Sequence, residues 1–240
     1  RGLAIACASH AGTAMHAREA FKVLWGAEIE AEQLQCPCPE HGSSPLEHNC
    51  SGKHAAFLAT CRRMGGSTES DLQQDHPLQR EVLKRVAELL GLPAAELVSA
   101  RDDCGAPTLQ LQLAQMALLY AHLGGGTQPD LERLSRAMLA HPDLVAGEGR
   151  FDTELMRLGH GQVLSKGGAE GIQCLSRVGE GMGVAIKVED GSARAKHAVA
   201  LHLLEQLDWL TPMTLEELRG SFLNPAPHLR LEVIGELRFD

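Results

Sequence analysis

The sequence is organised around the segment Asn49-Cys50-Ser51-Gly52-Lys53-His54. It brings a thiol, a hydroxyl, an amine and an imidazole within six residues. Pro45 precedes the segment and an apolar run, residues 55–59, follows it, which predicts the first turn of a helix leaving a loop, with Asn49 as the N-cap. On such a helix Cys50, Lys53 and His54 stand at i, i+3 and i+4, so their side chains share one face.

The thiol of this turn is the first candidate for chemistry. At a helix N-terminus beside an ammonium group a thiol loses its proton more readily, because the helix dipole and the cation both favour the thiolate. Such a thiolate is either a metal ligand or a nucleophile. A nucleophilic Cys50 would need His54 as its base, although an i, i+4 pair on one helix rarely has the required geometry. A partly buried cysteine beside a solvated lysine is the structural alternative.

Composition limits the classes of function. Lys and Arg number 22 against 31 Asp and Glu, and the formal charge of -9 argues against nucleic acid or an anionic membrane surface as partner. Aromatic residues make up only 3%, too few for base stacking or a peptide groove. With 44% hydrophobic residues the chain can bury a real core. These values favour an enzyme that acts on a small molecule, or a general globular domain, over a recognition module.

The cysteines indicate a reducing compartment. They number seven, an odd count, and are spread along the chain without the spacing of a disulfide scaffold. The first residues are too few for a signal peptide, and no segment approaches transmembrane length. We therefore expect a cytoplasmic protein. The chain begins at Arg1 and not at Met, so a preceding segment cannot be read from it.

The hydrophobic pattern predicts an α+β fold. Residues 2–8 form a small-apolar run typical of a buried strand, and residues 229–239 alternate apolar and charged residues like an edge strand. Helices are predicted at 13–25, 50–64, 77–90, 109–123, 130–140 and 193–207, and short strands at 162–164, 171–178 and 183–188. The prediction is one domain over residues 1–240, with a helical middle and a mixed sheet that receives strands from both termini.

Three polar segments are candidates to form one site. They are Ser9-His10, the turn at 50–54, and Asp102-Asp103-Cys104 before a helix. Cys50 and Cys104 are plausible partners for one zinc ion, with His54 or a carboxylate completing the ligands, although two distant thiols on their own also suit core or surface cysteines. Cys36-Pro37-Cys38 with His41 is a weaker metal motif, because Cys-x-Cys places its thiols on opposite sides of an extended chain.

These residues occur in blocks that resemble the asparaginase II family, the class 3 or rhizobial-type L-asparaginases. Six blocks carry the resemblance in order along the chain: Ala6-Cys7-Ala8-Ser9-His10, residues 49–54, Asp75-His76-Pro77, residues 102–108, His141-Pro142 with residues 145–150, and residues 187–191. The order and number of the blocks make the resemblance specific.

The resemblance implies a fold similar to serine β-lactamases and some glutaminases, and hydrolysis of L-asparagine to L-aspartate and ammonia. Two Ser-Lys pairs would do the chemistry, and one of them maps onto Ser9 and Lys166. The same resemblance implies a zinc site at Cys50, Lys53 and Cys104, with His54 and Asp102 lining the substrate side, and a homodimer. We expect the zinc to brace the pocket and tune substrate affinity, since the serines already provide a nucleophile.

The sequence also departs from the family pattern. The other pair belongs to an Arg-Ser-x-x-Lys motif upstream of the block at 6–10, which this chain does not contain, so we expect 1–240 to lack its N-terminal segment. Asp103 stands where the family more often has Gly. The alternative function is therefore a truncated, catalytically impaired homologue that binds zinc or a small molecule. Preference for asparagine or glutamine, zinc occupancy and oligomeric state are open at this point.

Overall fold

A computed structural model describes residues 1–8, 13–36, 44–223, 228 and 231–238. The chain forms two compact units. Unit 1 comprises Arg1–Gln115 and Asp143–Gly147, and unit 2 comprises Met116–Pro142 and Glu148–Asp240. The expectation of one domain over residues 1–240 stays a prediction.

The described residues contain α-helices and two small antiparallel sheets. The helices are α1 Gly2–Ala6, α2 Ala14–Trp25, α3 Ser51–Met64, α4 Pro77–Leu90, α5 Leu113–Gly124, α6 Pro129–Ala140, α7 Pro142–Ala146, α8 Phe151–Leu158, α9 Ala193–Gln206 and α10 Pro212–Phe222. The strands are β1 Val98–Arg101, β2 Pro107–Gln110, β3 Val163–Gly167, β4 Ile172–Arg177 and β5 Met182–Lys187. Strands β1 and β2 form one sheet, and the other has the order β3-β4-β5. The predicted α+β class is confirmed.

In unit 1, helix α3 packs against α1 and α2. The closest approach is at Gly52, where a Cβ atom would lie 2.0 Å from the carbonyl oxygen of Ile5. Only glycine fits there, because the backbone of α1 occupies the place of a side chain. A cluster of buried residues lies between α2, α3 and the intervening chain: Leu24, Ile29, Leu34, Cys36, Ala55 and Leu58. The turn that carries Cys50 and Lys53 is thus held against a packed helix pair.

In unit 2, the sheet β3-β4-β5 is packed by helices α8, α9 and α10. Their shared core includes Phe151, Leu201, Leu204 and Trp209, all buried. Helix α5 approaches β5 closely, since a Cβ atom at Gly183 would lie 2.0 Å from the carbonyl oxygen of Ala117. The sheet therefore presents strands whose two faces are largely covered, which agrees with the buried residues along β3 and β4.

Local end signals were predicted well. Helix α2 is capped by Thr13, whose side-chain oxygen accepts from the backbone N–H of His16. Helices α3 and α4 both end at a glycine in the left-handed conformation, Gly65 and Gly91, as their sequences predict. The predicted N-cap Asn49 is wrong by one position, because Cys50 is the N-cap of α3.

The predicted strands at the two termini are wrong within the described residues. Residues 2–6 are helix α1, with Ala4 and Ile5 fully buried. A short apolar run has no period that separates a strand from a buried helix, and alanine favours the helix. Residues 231–238 have no regular structure, and Ile234 is 89% exposed. Among the described residues both sheets are antiparallel, and their strands lie between Val98 and Lys187. The predicted mixed sheet with strands from both termini is therefore also wrong.

The structure differs from the predicted secondary structure in three further respects. Helix α5 begins at Leu113 and not at 109, because Pro107–Gln110 pairs with Val98–Arg101 as a hairpin. Strand β3 extends to Gly167, beyond the predicted end at residue 164, and therefore includes Lys166. Helices α7, α8 and α10 were not predicted.

Candidate active site

A tight loop between β1 and β2 carries Asp102 and Cys104. The backbone N–H of Asp102 donates to the carbonyl of Ala106 at 2.9 Å, and Gly105 has a positive φ of 79°. The carboxylate oxygen Oδ1 of Asp102 accepts from the backbone N–H of Cys104 at 3.0 Å and of Ala106 at 2.9 Å. One oxygen of Asp102 therefore orders the loop, which leaves its other oxygen available to a side chain.

Lys53 joins the first turn of α3 to this loop. Its ammonium Nζ donates to Oδ2 of Asp102 at 2.5 Å and to Sγ of Cys104 at 3.4 Å. Cys50, one turn earlier on the same face, lies close enough to Cys104 to influence the pKa of its thiol. Four of the predicted site residues, Cys50, Lys53, Asp102 and Cys104, are thus brought together in unit 1.

Lys53 and Asp102 stabilise each other in their charged forms. Burial by itself would lower the pKa of Lys53, but the hydrogen bond with Asp102 and the proximity of Cys50 and Cys104 raise it. Burial would raise the pKa of Asp102, but the hydrogen bond and charge of Lys53 lower it. Lys53 is therefore held as an ammonium and Asp102 as a carboxylate, with 26% and 29% of their side chains exposed.

The thiol of Cys104 is held in its protonated form. Burial, together with the interaction with the neighbouring Cys50, raises its pKa to about 12, and the charge of Lys53 only partly opposes the rise. Free thiols are weak nucleophiles and must lose the proton before they bind a metal. The activated thiolate predicted at the start of helix α3 concerns Cys50 and stays a prediction.

His54 lies beside the cluster and is completely buried. Neither of its ring nitrogens has a hydrogen-bond partner in the described part of the chain. Burial, with the charge of Lys53, lowers its pKa to about 4, so the ring is neutral. A Cys50–His54 catalytic pair is not formed here. The substrate-side position implied for His54 by the family resemblance stays a prediction.

His48 is a member of this site that the sequence did not single out. Its ring nitrogen Nδ1 accepts from the backbone N–H of Cys50 at 3.1 Å, so it fixes the residue that caps α3. Burial, followed by the charge of Lys53, lowers the pKa of His48. The available signal was its position, two residues before the cysteine, where a side chain can bond the following backbone.

The second group of predicted residues involves unit 2. Lys166 lies on β3, and its Nζ donates to the carbonyl oxygen of Gly167 at 2.6 Å. Ser9 lies outside the described residues, as do Cys38 and His41, so the Ser9–Lys166 pairing stays a prediction. Cys36, the other cysteine of the weaker metal motif, is buried and its thiol donates to the carbonyl of Pro45.

Comparison with known families decides the classification. The family described as L-asparaginase II has a model that matches residues 1–239. The chain belongs to the asparaginase II family. The resemblance predicted from the six blocks is confirmed, and family membership supports an amidohydrolase-type enzyme with a small-molecule substrate, asparagine. A comparison with curated proteins gave no match. Across the described residues, each helix is too short or too polar to cross a membrane.

The zinc implied for an asparaginase II protein can be tested against these donors. No group of three or more His, Cys, Asp or Glu side chains in the described ranges is placed to hold a metal. The neighbouring thiols of Cys50 and Cys104, with the amine of Lys53 at 3.4 Å from Cys104, still supply three sulfur and nitrogen donors, the types that zinc prefers. The residues fit the ion provided that Lys53 leaves Asp102 and loses its proton. The zinc site stays a prediction.

Proposed function

We propose that this asparaginase II protein hydrolyses the side-chain amide of L-asparagine to L-aspartate and ammonia. The observation that carries the proposal is the family match over residues 1–239. The convergence of Lys53, Asp102 and Cys104, residues to which the family resemblance assigns the site, supports the proposal. We also propose the serine β-lactamase-like fold that the family resemblance implies.

The proposed chemistry is attack by a lysine-activated serine. The neutral amine of Lys166 would take the proton of the Ser9 hydroxyl, and the oxygen would attack the amide carbon of asparagine. Ammonia leaves with a proton returned from the lysine, and water then releases aspartate from the acyl-enzyme. Asp102 and His54 would contact the substrate, the first through a carboxylate that can bind the substrate's ammonium group and the second through a neutral ring.

Cys50, Lys53 and Cys104 would hold the zinc. A bound ion would supply a positive charge at the wall of the pocket, which braces the loop at 102–106 against helix α3 and tunes substrate affinity. Asp102, released from Lys53 on metal binding, would then be free to bind the substrate. The homodimer and the cytoplasmic location stay predictions.

Ammonia release from L-asparagine by the purified 240-residue chain tests the main proposal. We expect activity that is lost on Ser9→Ala and on Lys166→Ala. Absence of activity in the unaltered chain, with metal binding intact, would contradict the proposal and favour the impaired homologue that binds zinc or a small molecule. Activity that survives both substitutions but vanishes on Cys50→Ser would instead indicate a cysteine hydrolase.

Metal binding is tested separately with Co²⁺, whose thiolate charge-transfer absorption reports cysteine ligation. We expect that absorption in the unaltered chain and its loss on Cys50→Ala or Cys104→Ala. Cys61→Ala is the matched control, since Cys61 is a buried free cysteine on the same helix α3. Loss of the absorption on Cys61→Ala alone would refute the assigned ligands.

A further inference from the structure

Asp152, on helix α8, accepts a set of hydrogen bonds from strands β3 and β4. Its Oδ1 accepts from the hydroxyl of Ser165 at 2.5 Å and from Nε2 of Gln173 at 2.7 Å, and its Oδ2 accepts from the backbone N–H of Gly167 at 2.7 Å. Nε2 of Gln173 also donates to the Ser165 hydroxyl at 3.0 Å. Asp152 is 8% exposed, and Ser165 and Gln173 are fully buried.

Two of these partners, Ser165 and Gly167, flank Lys166 in the sequence and face the opposite side of the strand. Side chains alternate along a strand, so Ser165 and the open side of Gly167 face Asp152, and Lys166 faces the other way. The cross-strand register agrees, because Gly167 pairs with Gln173, and Lys166 pairs with Cys174. Asp152 therefore fixes the residues on both sides of Lys166.

The free edge of β3 connects the carboxylate to the lysine amine. Strand β3 lies at the end of the order β3-β4-β5, and the N–H of Gly167 turns to Asp152 and not to β4. The carbonyl of the same residue accepts from Nζ of Lys166 at 2.6 Å. The orientation of Gly167 thus determines where that acceptor stands, and Asp152 determines the orientation of Gly167.

The space around Gly167 leaves little room for a side chain between strand β3 and Asp152. A Cβ atom at this residue would lie 3.1 Å from Oδ2 of Asp152 and 3.0 Å from Nζ of Lys196. A side chain here would press against the carboxylate that holds the strand. Glycine at this position lets the carboxylate reach the backbone amide directly, which a bulkier residue would prevent.

We propose that Asp152 is a positioning residue for Lys166, which it places by fixing Gly167 and Ser165 from the buried face of β3. The proposal rests on the function proposed above, in which Lys166 activates the serine. A displacement of about 1 Å in a group that transfers a proton can cost about a hundredfold in rate. A carboxylate that holds both neighbours of the lysine is well placed to prevent such a displacement.

Asp152→Asn tests the proposal because it keeps the shape of the side chain and replaces one acceptor oxygen by a donor. Thr153→Val is the matched control: Thr153 is the next residue of α8, is fully buried, and donates to the carbonyl of Pro142 at 3.1 Å. Two readouts are needed. One is the pH profile of kcat and KM for asparagine. The other is competitive acetylation of Lys166, measured by mass spectrometry against the exposed Lys84 in the same sample.

We expect Asp152→Asn to lower kcat by about 10- to 100-fold, with KM changed by less than about threefold, and to shift the pH profile. The acetylation rate of Lys166 relative to Lys84 should change by at least about threefold, and Thr153→Val should leave both readouts within about twofold of the unaltered protein. The proposal would be overturned if Asp152→Asn stayed within about twofold of the unaltered protein in both readouts. An equal effect of Thr153→Val would overturn it as well.

Acetylation needs no turnover, so it separates this proposal from the proposed function. If the unaltered chain releases no ammonia, the proposed function fails while the labelling of Lys166 still decides whether Asp152 positions it. If Asp152→Asn does not fold, Ser165→Ala replaces it, since this variant keeps the bonds of Asp152 to Gly167 and Gln173. We then expect a labelling change of about twofold or more, and no change would refute the positioning role.

Discussion

Replacing His197 by Phe should remove a large part of the acid sensitivity of unit 2. The imidazole of His197 is stacked on Phe151, with ring centroids 4.4 Å apart and an interplanar angle of 9°, and Phe222 meets it edge-on at 5.9 Å. Burial, followed by the charge of Lys196, lowers the pKa of His197 to about 4, and Asp152 opposes this only in part. Phe keeps an aromatic ring in this stack but cannot take up a proton.

The sign and size of the effect follow from proton linkage. His197 has an ordinary pKa of 6.5, which applies to the unfolded chain, and about 4 when folded. The unfolded state therefore binds more protons between these values, so the contribution of the neutral ring is present above pH 6.5 and is lost as the pH falls toward 4. Between pH 7 and pH 5 the loss is about 2 kcal/mol in the free energy of unfolding.

Trp209 makes the measurement specific to unit 2. It is 3% exposed and belongs to the same core as Phe151, whereas Trp25, in unit 1, is 73% exposed. In a Trp25→Phe background, urea unfolding followed by fluorescence therefore reports the core around His197. We expect His197→Phe to lose about 2 kcal/mol less stability than the parent between pH 7 and pH 5.

The matched control is His160→Asn, which removes an exposed imidazole from unit 2 outside the aromatic cluster. If the difference in unfolding free energy between parent and His197→Phe is the same at pH 7 and pH 5, the depressed pKa of His197 is refuted. An equal change in pH dependence for His160→Asn would show that burial in the aromatic cluster is not the cause.

The remaining predictions concern helix packing in unit 1 and an exposed position in unit 2. Gly52→Ala should destabilise unit 1 by at least about 3 kcal/mol, because a methyl group cannot share the position of the Ile5 carbonyl, whereas Gly220→Ala, with open space around it, should stabilise by about 0.5 to 1 kcal/mol. Urea unfolding followed by circular dichroism compares them. Ser51→Ala, which removes the fully buried hydroxyl that contacts a histidine ring at 2.7 Å, should cost about 1 to 3 kcal/mol, against less than about 0.5 for the exposed Thr60→Ala. Hydrogen exchange of the α3 amides measures this second pair. Similar exchange rates in Ser51→Ala and Thr60→Ala would contradict the expected difference between them.

The sequence predicts best those helices whose ends are marked by local residue signals. Helix α4 is bounded by Pro77 at its first position and Gly91 in the left-handed conformation after its last, and both signals act without the rest of the fold. The i, i+3 relation of Cys50 and Lys53 was predictable for the same reason. The strands predicted at the termini are absent from the described residues. A strand forms only where a neighbouring strand is available to pair with it, and this depends on the tertiary structure and not on the local pattern.

The parts of the site that escaped prediction depend on contacts distant in sequence. The bond of Lys53 with Asp102 joins residues 49 positions apart, and the sequence offered the segment of Asp102 as a candidate partner of the turn without predicting this bond. Asp152 was missed because α8 has only eight residues. Its apolar residues Phe151, Leu155 and Leu158, at i, i+4 and i+7, were the available signal.

The contact between Gly52 and the carbonyl of Ile5 bears on how this protein could be engineered. The distance between α1 and the turn of Cys50 and Lys53 is set by two backbones, so exchanging side chains along α1 will not move the turn. Libraries that seek altered substrate choice should therefore keep residue 52 constant and diversify the loop at 102–106, where the position of Cys104 depends on side-chain bonds to Asp102 that substitution can change.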